Sequence, residues 1–286
     1  MLERSGNPAL AGKEEIVNEI RGRRWRLAES LKLHNISETK EFIDDLGILA
    51  VFSDKVLPNL YEATYSAEEP RADGWNWDKI DRAWQIALTL TREKQIYYGK
   101  LIRKKNLLIS MKLFASFYRL WCGSDYLDEY YSGHLSKTGK DIMDVFTKYK
   151  VLSTHQIRSY VLLRGKEGTK ALHRALVELQ AKGMLTCVGS IRKATSSWDT
   201  FLWGIPEDWI PEDIKIEAEN IEREKAMSNI IKKFVYTLVI TDELTITRFF
   251  KWEHNQVNEL TEQLIKEDIL RAIEFRNHKC LTTEAL

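Results

Sequence analysis

Apolar residues recur at spacings of three and four along most of the chain, and short strand-like runs appear only directly after particular helices. The clearest series lies between residues 134 and 204. Ile142, Val145, Phe146 and Tyr149 fall on one face and predict a helix ending near Lys150. Ser153, with Gln156 three residues on and the Leu152/Ile157 pair around them, has the form of a capping box with a hydrophobic staple and starts a second helix. After the Arg164–Gly165 break a third helix is predicted over 167–182. Leu172, Ala175, Leu176 and Leu179 form its buried stripe, and Gly183 its left-handed cap. LTCV at 185–188 and TFLW at 200–203 read as strands joined by the loop GSIRKATSSWD. Three helices and a two-stranded hairpin make a winged helix.

The same grammar extends to both sides. Residues 205–225 carry eight acidic and three basic residues, with Pro206 and Pro211 limiting helix at the start, and read as an acidic linker. Beyond it come a helix over about 217–235, a short helix DELTITRFF after Asp242, a third helix from near Glu253 with Val257, Leu260, Leu264 and Ile265 inward, and a strand at 269–275. Before residue 134 the pattern is less regular. A basic helix near 14–33, a helix near 38–46 capped by Ser37 and closed by Gly47, a Trp-rich middle and an aromatic helix near 110–121 are predicted. The expected class is mainly α with short β-hairpins (α+β), arranged as tandem winged-helix domains. Residues 1–133 form an N-terminal, modified copy, 134–204 the central domain, and 205–286 the linker and C-terminal copy.

Charge changes the picture of the third helix. At about 100° per residue, Lys170 and Arg174 project opposite Leu172, and Lys166 and His173 flank them. In a winged helix the N-terminal half of this helix is the part that enters a major groove, and Arg192 and Lys193 at the wing tip reach the neighbouring backbone. The chain has a net charge of only +1 over 286 residues, yet residues 134–204 hold twelve Lys and Arg against five Asp and Glu. Duplex DNA is therefore the expected partner, contacted by Lys166, Lys170, His173, Arg174, Arg192 and Lys193, although charged helix faces also occur simply as solvated surface. The third helix of the C-terminal copy carries Glu253, Glu259, Glu262 and Glu267 instead, a face that suits packing or homodimer formation. RGRRWR at 21–26 is open to two readings, phosphate contact or a solvated amphipathic helix. RKK at 103–105 reads as a turn.

Composition excludes several classes. With 44% hydrophobic and 30% charged residues the chain is a folded one without a long disordered tail. Cys122, Cys187 and Cys280 are odd in number and lack CxxC spacing, so neither a disulfide framework nor a zinc site is expected. The N-terminal MLERSGNPALAGKEE has no signal-peptide core and no stretch of about 18 apolar residues occurs; a cytoplasmic protein that does not enter membranes is expected. GxSxG, HExxH, Walker-type and GxGxxG motifs are absent and the six histidines are scattered, so no metal or cofactor is expected. Asp44 and Asp45 read as exposed charge at a helix end. Trp75, Trp77 and Trp84 read as core or junction residues before base-stacking ones.

Five segments carry a family resemblance: LGILAVF (46–52), WNWDKIDRAW (75–84), YYGKLIRKKNLLIS (97–110), LSTHQIR (152–158) and FFKW (249–252). In these the chain resembles the winged-helix DNA glycosylases of the AlkZ and YcaQ type, and more closely their AlkZ-related relatives. The resemblance implies three tandem winged helices around a DNA-binding channel and, for active members, excision of alkylated or crosslinked bases by water attack at the sugar. Active members position that water with a Gln-x-Gln or Gln-x-Asp pair just after a Leu-Gly element. Here Ala50 and Phe52 follow Leu46-Gly47 at those places, and no such triplet occurs elsewhere. Three functions stay open on this basis: DNA binding without that pair, excision by an altered catalytic group, and a protein-interaction scaffold.

Overall fold

A computed structural model of the chain describes residues 8–72, 74–191 and 199–286. From the N-terminus run α1 (Pro8–Arg24), α2 (Ile36–Leu46), β1 (Ile48–Ala50), α3 (Leu60–Ala63), α4 (Trp77–Arg92), β2 (Ile96–Gly99), β3 (Leu107–Ser110), α5 (Met111–Trp121) and α6 (Tyr126–Tyr131). The central stretch is α7 (Lys137–Phe146), β4 (Val151–Ser153), α8 (Thr154–Tyr160), α9 (Gly165–Ala181), β5 (Thr186–Ile191) and β6 (Thr200–Gly204). There follow α10 (Pro206–Trp209), α11 (Glu212–Asn220), α12 (Arg223–Leu238), β7 (Ile240–Thr241), α13 (Glu243–Phe250), α14 (His254–Lys266), β8 (Arg271–Phe275) and β9 (His278–Thr282). Helices dominate and the strands form small antiparallel sheets, as expected for the α+β class. The chain gathers into two compact units, Trp84–Ala226 and the pair of segments Met1–Ala83 with Met227–Leu286.

In the continuous unit, α9 packs through Leu172, Ala175, Leu176 and Leu179, all buried. Its neighbour α8 begins with the expected capping box: the Ser153 hydroxyl accepts from the Gln156 amide while the Gln156 side chain accepts from the Ser153 amide. Leu152 and Ile157 are both buried around it. That Val151–Ser153 is itself a strand was not expected. It pairs with β6 in the sheet order β4-β6-β5, with Trp203 opposite both Leu152 and Cys187. Three residues are too few to display a period of two. Tyr149 is a correction: α7 stops at Phe146, and Tyr149 lies 40% exposed, its ring stacked on Tyr160 at 4.8 Å. The hairpin β2–β3 leans on this region, where the amide of Lys100 donates to Gln180 Oε1 at 3.1 Å and Trp84, Tyr98 and Phe201 form a ring cluster. The stretch read as an acidic linker is largely helical, over 206–209 and 212–220. Ile214 and Ala218 of α11 are buried, and Arg119 on α5 donates to the Ile221 carbonyl at 3.0 Å. The apolar side of this acidic stretch, with Trp209 and Ile210 also buried, is what gives it structure.

In the discontinuous unit, α2 starts at Ile36, two residues earlier than expected. Asn35 and not Ser37 is the cap, its side chain accepting from the Glu38 amide at 2.9 Å, and Gly47 ends the helix at φ +74°. The basic helix α1 runs over 8–24, earlier than the expected 14–33. α12 occupies 223–238, α13 begins after Asp242 as anticipated, with Asp242 as its cap, and α14 buries Val257, Leu260 and Leu264. The FFKW segment belongs to an aromatic core in which Phe234 meets Phe249 and Phe250 at 4.8 and 5.0 Å.

Candidate nucleic-acid interface

The face of α9 opposite its buried leucines carries Lys166, Lys170, His173 and Arg174, all exposed. Lys170 Nζ lies 2.8 Å from Glu167 Oε1, but both side chains are mostly in water, where such a pair contributes roughly 0–1 kcal/mol and yields readily to a polyanion. The other acid of the helix, Glu178, turns away and accepts from the amide and hydroxyl of Ser136, securing the start of α7. The outward face is therefore cationic by construction. Arg192 and Lys193 lie outside the described residues.

The turn from α8 into α9 is tight. A Cβ on Gly168 would stand 2.7 Å from the Leu163 carbonyl carbon, so only glycine allows this approach. Arg158 braces the turn, its Nε donating to Leu163 O at 2.9 Å and its Nη2 to Gly165 O at 3.3 Å. Beside it is a hollow of about 390 Å³ lined by His155, Arg158, Ser159, Leu162 and Arg164. Arg158 and Arg164 extend the positive face with His155 beside them, and none of the three was read as a site residue in the sequence. The clue available there was the pair of arginines bracketing Leu162–Leu163 between two predicted helices.

Other candidates separate cleanly from this face. Arg21 donates to the carbonyls of Leu238 and Ile240, Arg24 to that of Tyr236, and the Trp25 indole to that of Thr237 at 2.7 Å. Arg24 also holds Glu284 at 2.7 Å and lies over the Tyr236 ring at 3.8 Å. These groups satisfy the orphan carbonyls at the end of α12. Neither reading of RGRRWR survives for Arg21 and Arg24, since they are neither solvated nor offered to phosphate. Burial, with Arg276 nearby, lowers the Arg21 pKa from its ordinary value. Arg23 remains exposed. The RKK run is an exposed turn between β2 and β3, as read. Asp44 pairs with Lys40, and Asp45 accepts from the Tyr236 hydroxyl at 2.8 Å. Trp75 and Trp77 are 45% and 37% exposed, Trp75 edge-on to Tyr61 and Trp77 beneath Arg71, so neither is a core residue; Trp84 is half-buried.

Around the Leu46–Gly47 element, Ala50 is 3% exposed at the end of β1 and its amide donates to Pro58 O at 2.9 Å. Phe52 is half-buried, its ring 6.4 Å from that of Tyr61. Burial pushes the Cys187 thiol up to about 12, far from the range of a reactive cysteine. Among the described residues no helix is long and apolar enough to cross a membrane.

Comparison with known proteins bears on both units. The model of the family described as AlkZ related matches residues 33–251. Among solved structures, the Streptomyces sahachiroi DNA glycosylase AlkZ is similar with a TM-score of 0.54 at 13% identity, over 93% of this chain and 68% of that one. At such identity the likeness speaks for the fold. None of the curated proteins matches. The family match covers well over half of the sequence, including α9 and its cationic face, and the chain belongs to the AlkZ-related family.

Proposed function

We propose that this protein binds duplex DNA, with α9 as the recognition helix of a winged helix and the family's water-positioning pair missing. The order helix, strand, helix, helix, strand, strand occurs three times, from α2 to β3, from α7 to β6 and from α12 to β9, which supports three tandem winged-helix modules. The carrying observation is the outward face of α9: Lys166, Lys170, His173 and Arg174 exposed, with Leu172 and Leu179 inward, beside the β5–β6 hairpin. Lys166, Lys170 and Arg174, joined by Arg192 and Lys193, bind phosphates, and His173 is an auxiliary contact. The equivalent face of α14 presents Glu253, Glu259, Glu262 and Glu267, all exposed, and repels DNA; it suits a protein partner or a second copy of the chain.

Five or six phosphate contacts give a log–log dependence of affinity on salt with a slope of about −5. Fluorescence anisotropy with a labelled duplex measures it. The double change Lys170→Glu and Arg174→Glu removes detectable binding at moderate salt, and any residual slope falls to about −3. Salt-independent binding, or binding unaffected by the double change, refutes this assignment.

A second reading, base excision, is favoured by one observation, the likeness to a protein named a DNA glycosylase. The residues argue against it. Neither the methyl of Ala50 nor the ring of Phe52 accepts a proton or orients water.

A further inference from the structure

Leu162 combines a left-handed backbone with an exposed apolar side chain. It sits between α8 and α9 with φ +53° and is 73% exposed. The turn requires a left-handed residue there: the Leu162 amide donates to Ser159 O at 3.2 Å and the Leu163 amide to Arg158 O at 3.1 Å, which closes the end of α8. Glycine meets that requirement without steric penalty and asparagine nearly so, whereas leucine is strained. Leucine also leaves most of its side chain in water. Strain and exposure at one residue point to use rather than packing.

The surroundings define the use. Leu162 lines the hollow with His155, Arg158 and Arg164, and Lys166 begins the cationic face of α9 four residues on. Arg158 grips the carbonyls of Leu163 and Gly165, just after the tip, and so stiffens it. The exposed cations beside it, Arg164 and Lys166, bind phosphates and do not distinguish bases. An apolar side chain at the start of the recognition helix meets instead the edges and the stack of the bases exposed in the groove. We infer that Leu162 is a wedge that presses between neighbouring base pairs of bound DNA and loosens their stacking. This rests on α9 being the DNA-binding face and adds to it a residue that senses how easily a base step opens.

The test uses the full chain and duplexes carrying 2-aminopurine, placed in turn at successive positions, with anisotropy and emission read on the same samples at saturating protein. Wild type is expected to raise emission about threefold or more at one step. Leu162→Gly, which relieves the backbone strain and should fold at least as well, is expected to bind with its salt dependence intact and to lose most of that rise. Leu162→Met should restore it. A rise as large with Leu162→Gly as with wild type overturns the wedge, as does binding by wild type with no rise at any position. Unchanged emission together with affinity lost on replacing thymine by uracil assigns Leu162 to a methyl contact and also overturns it. Absence of any anisotropy change with wild type defeats the binding reading itself, and the wedge with it.

Discussion

Gly183 shows what a single residue decides in this fold. It ends α9 at φ +66°, and a Cβ there would lie 2.3 Å from the Trp121 carbonyl oxygen and 2.9 Å from Cys122 Sγ. Backbone, not a flexible side chain, is the obstacle, so relief requires moving α5 away from the helix end. Gly183→Ala is expected to destabilise the protein by about 2–4 kcal/mol, combining left-handed strain with overpacking, measurable as a shift of the urea midpoint. A shift near zero would mean that the α5 end gives way freely. The glycine was legible in sequence as a cap because a helical apolar stripe stops beside it. Its second role was not, since Trp121 is remote in the chain. The same division separates Ser153, whose capping box is entirely local, from Asn35, where the helix start depended on whether Ile36 would be taken into the first turn. Leu162 carried no sequence signal at all: a leucine after a helix reads as packing until its exposure and backbone angle are known.

At the scale of elements, the interaction that sequence reasoning misjudged most is that between α1 and α12. RGRRWR has the composition of a phosphate-binding segment, yet Arg24 and Trp25 pair with backbone 212 residues away. No local pattern reveals which helix end will need donors. Glu284 completes the clamp. Burial works to raise its pKa, but the hydrogen bonds from Arg24 and Thr283 and the Arg24 charge outweigh that and hold it below its ordinary value. A carboxyl depressed in the folded state stabilises fully above its unfolded pKa, and that contribution disappears as pH falls through the lower folded value. Glu284→Gln should therefore lower Tm by about 2 °C at neutral pH, with the difference from wild type shrinking below about pH 4. A difference that persists unchanged at pH 3 would show that packing, not charge, is responsible. In contrast, the two faces of α9 were readable, because its apolar stripe and its cations lie on one short segment and need no distant partner to be interpreted.

On the scale of the whole molecule, the order of elements was far more legible than their grouping. Periodicity reports that a helix has an apolar side and says nothing of which segment covers it. Thus residues 205–220 read as linker although α11 buries Ile214 and Ala218. The total charge was equally uninformative, since the excess around α9 and the acids of 205–225 nearly cancel. Family membership adds a question that only the intact chain can answer. Incubated with a panel of alkylated and crosslinked duplexes and then treated with mild alkali, the protein is expected to yield no strand breaks above background. Breaks that depend on the protein would establish excision and send the search to polar groups other than Ala50 and Phe52.

One unit is a single run of chain, Trp84–Ala226, while the other is assembled from Met1–Ala83 and Met227–Leu286. During synthesis on the ribosome the opening segment must therefore wait, with the donors of Arg21, Arg24 and Trp25 unmatched, while the intervening run emerges and closes first. Only once residues 236–240 have emerged do the carbonyls at the end of α12 and in β7 arrive to receive those donors, which makes the early helices a natural client for chaperones in the interval.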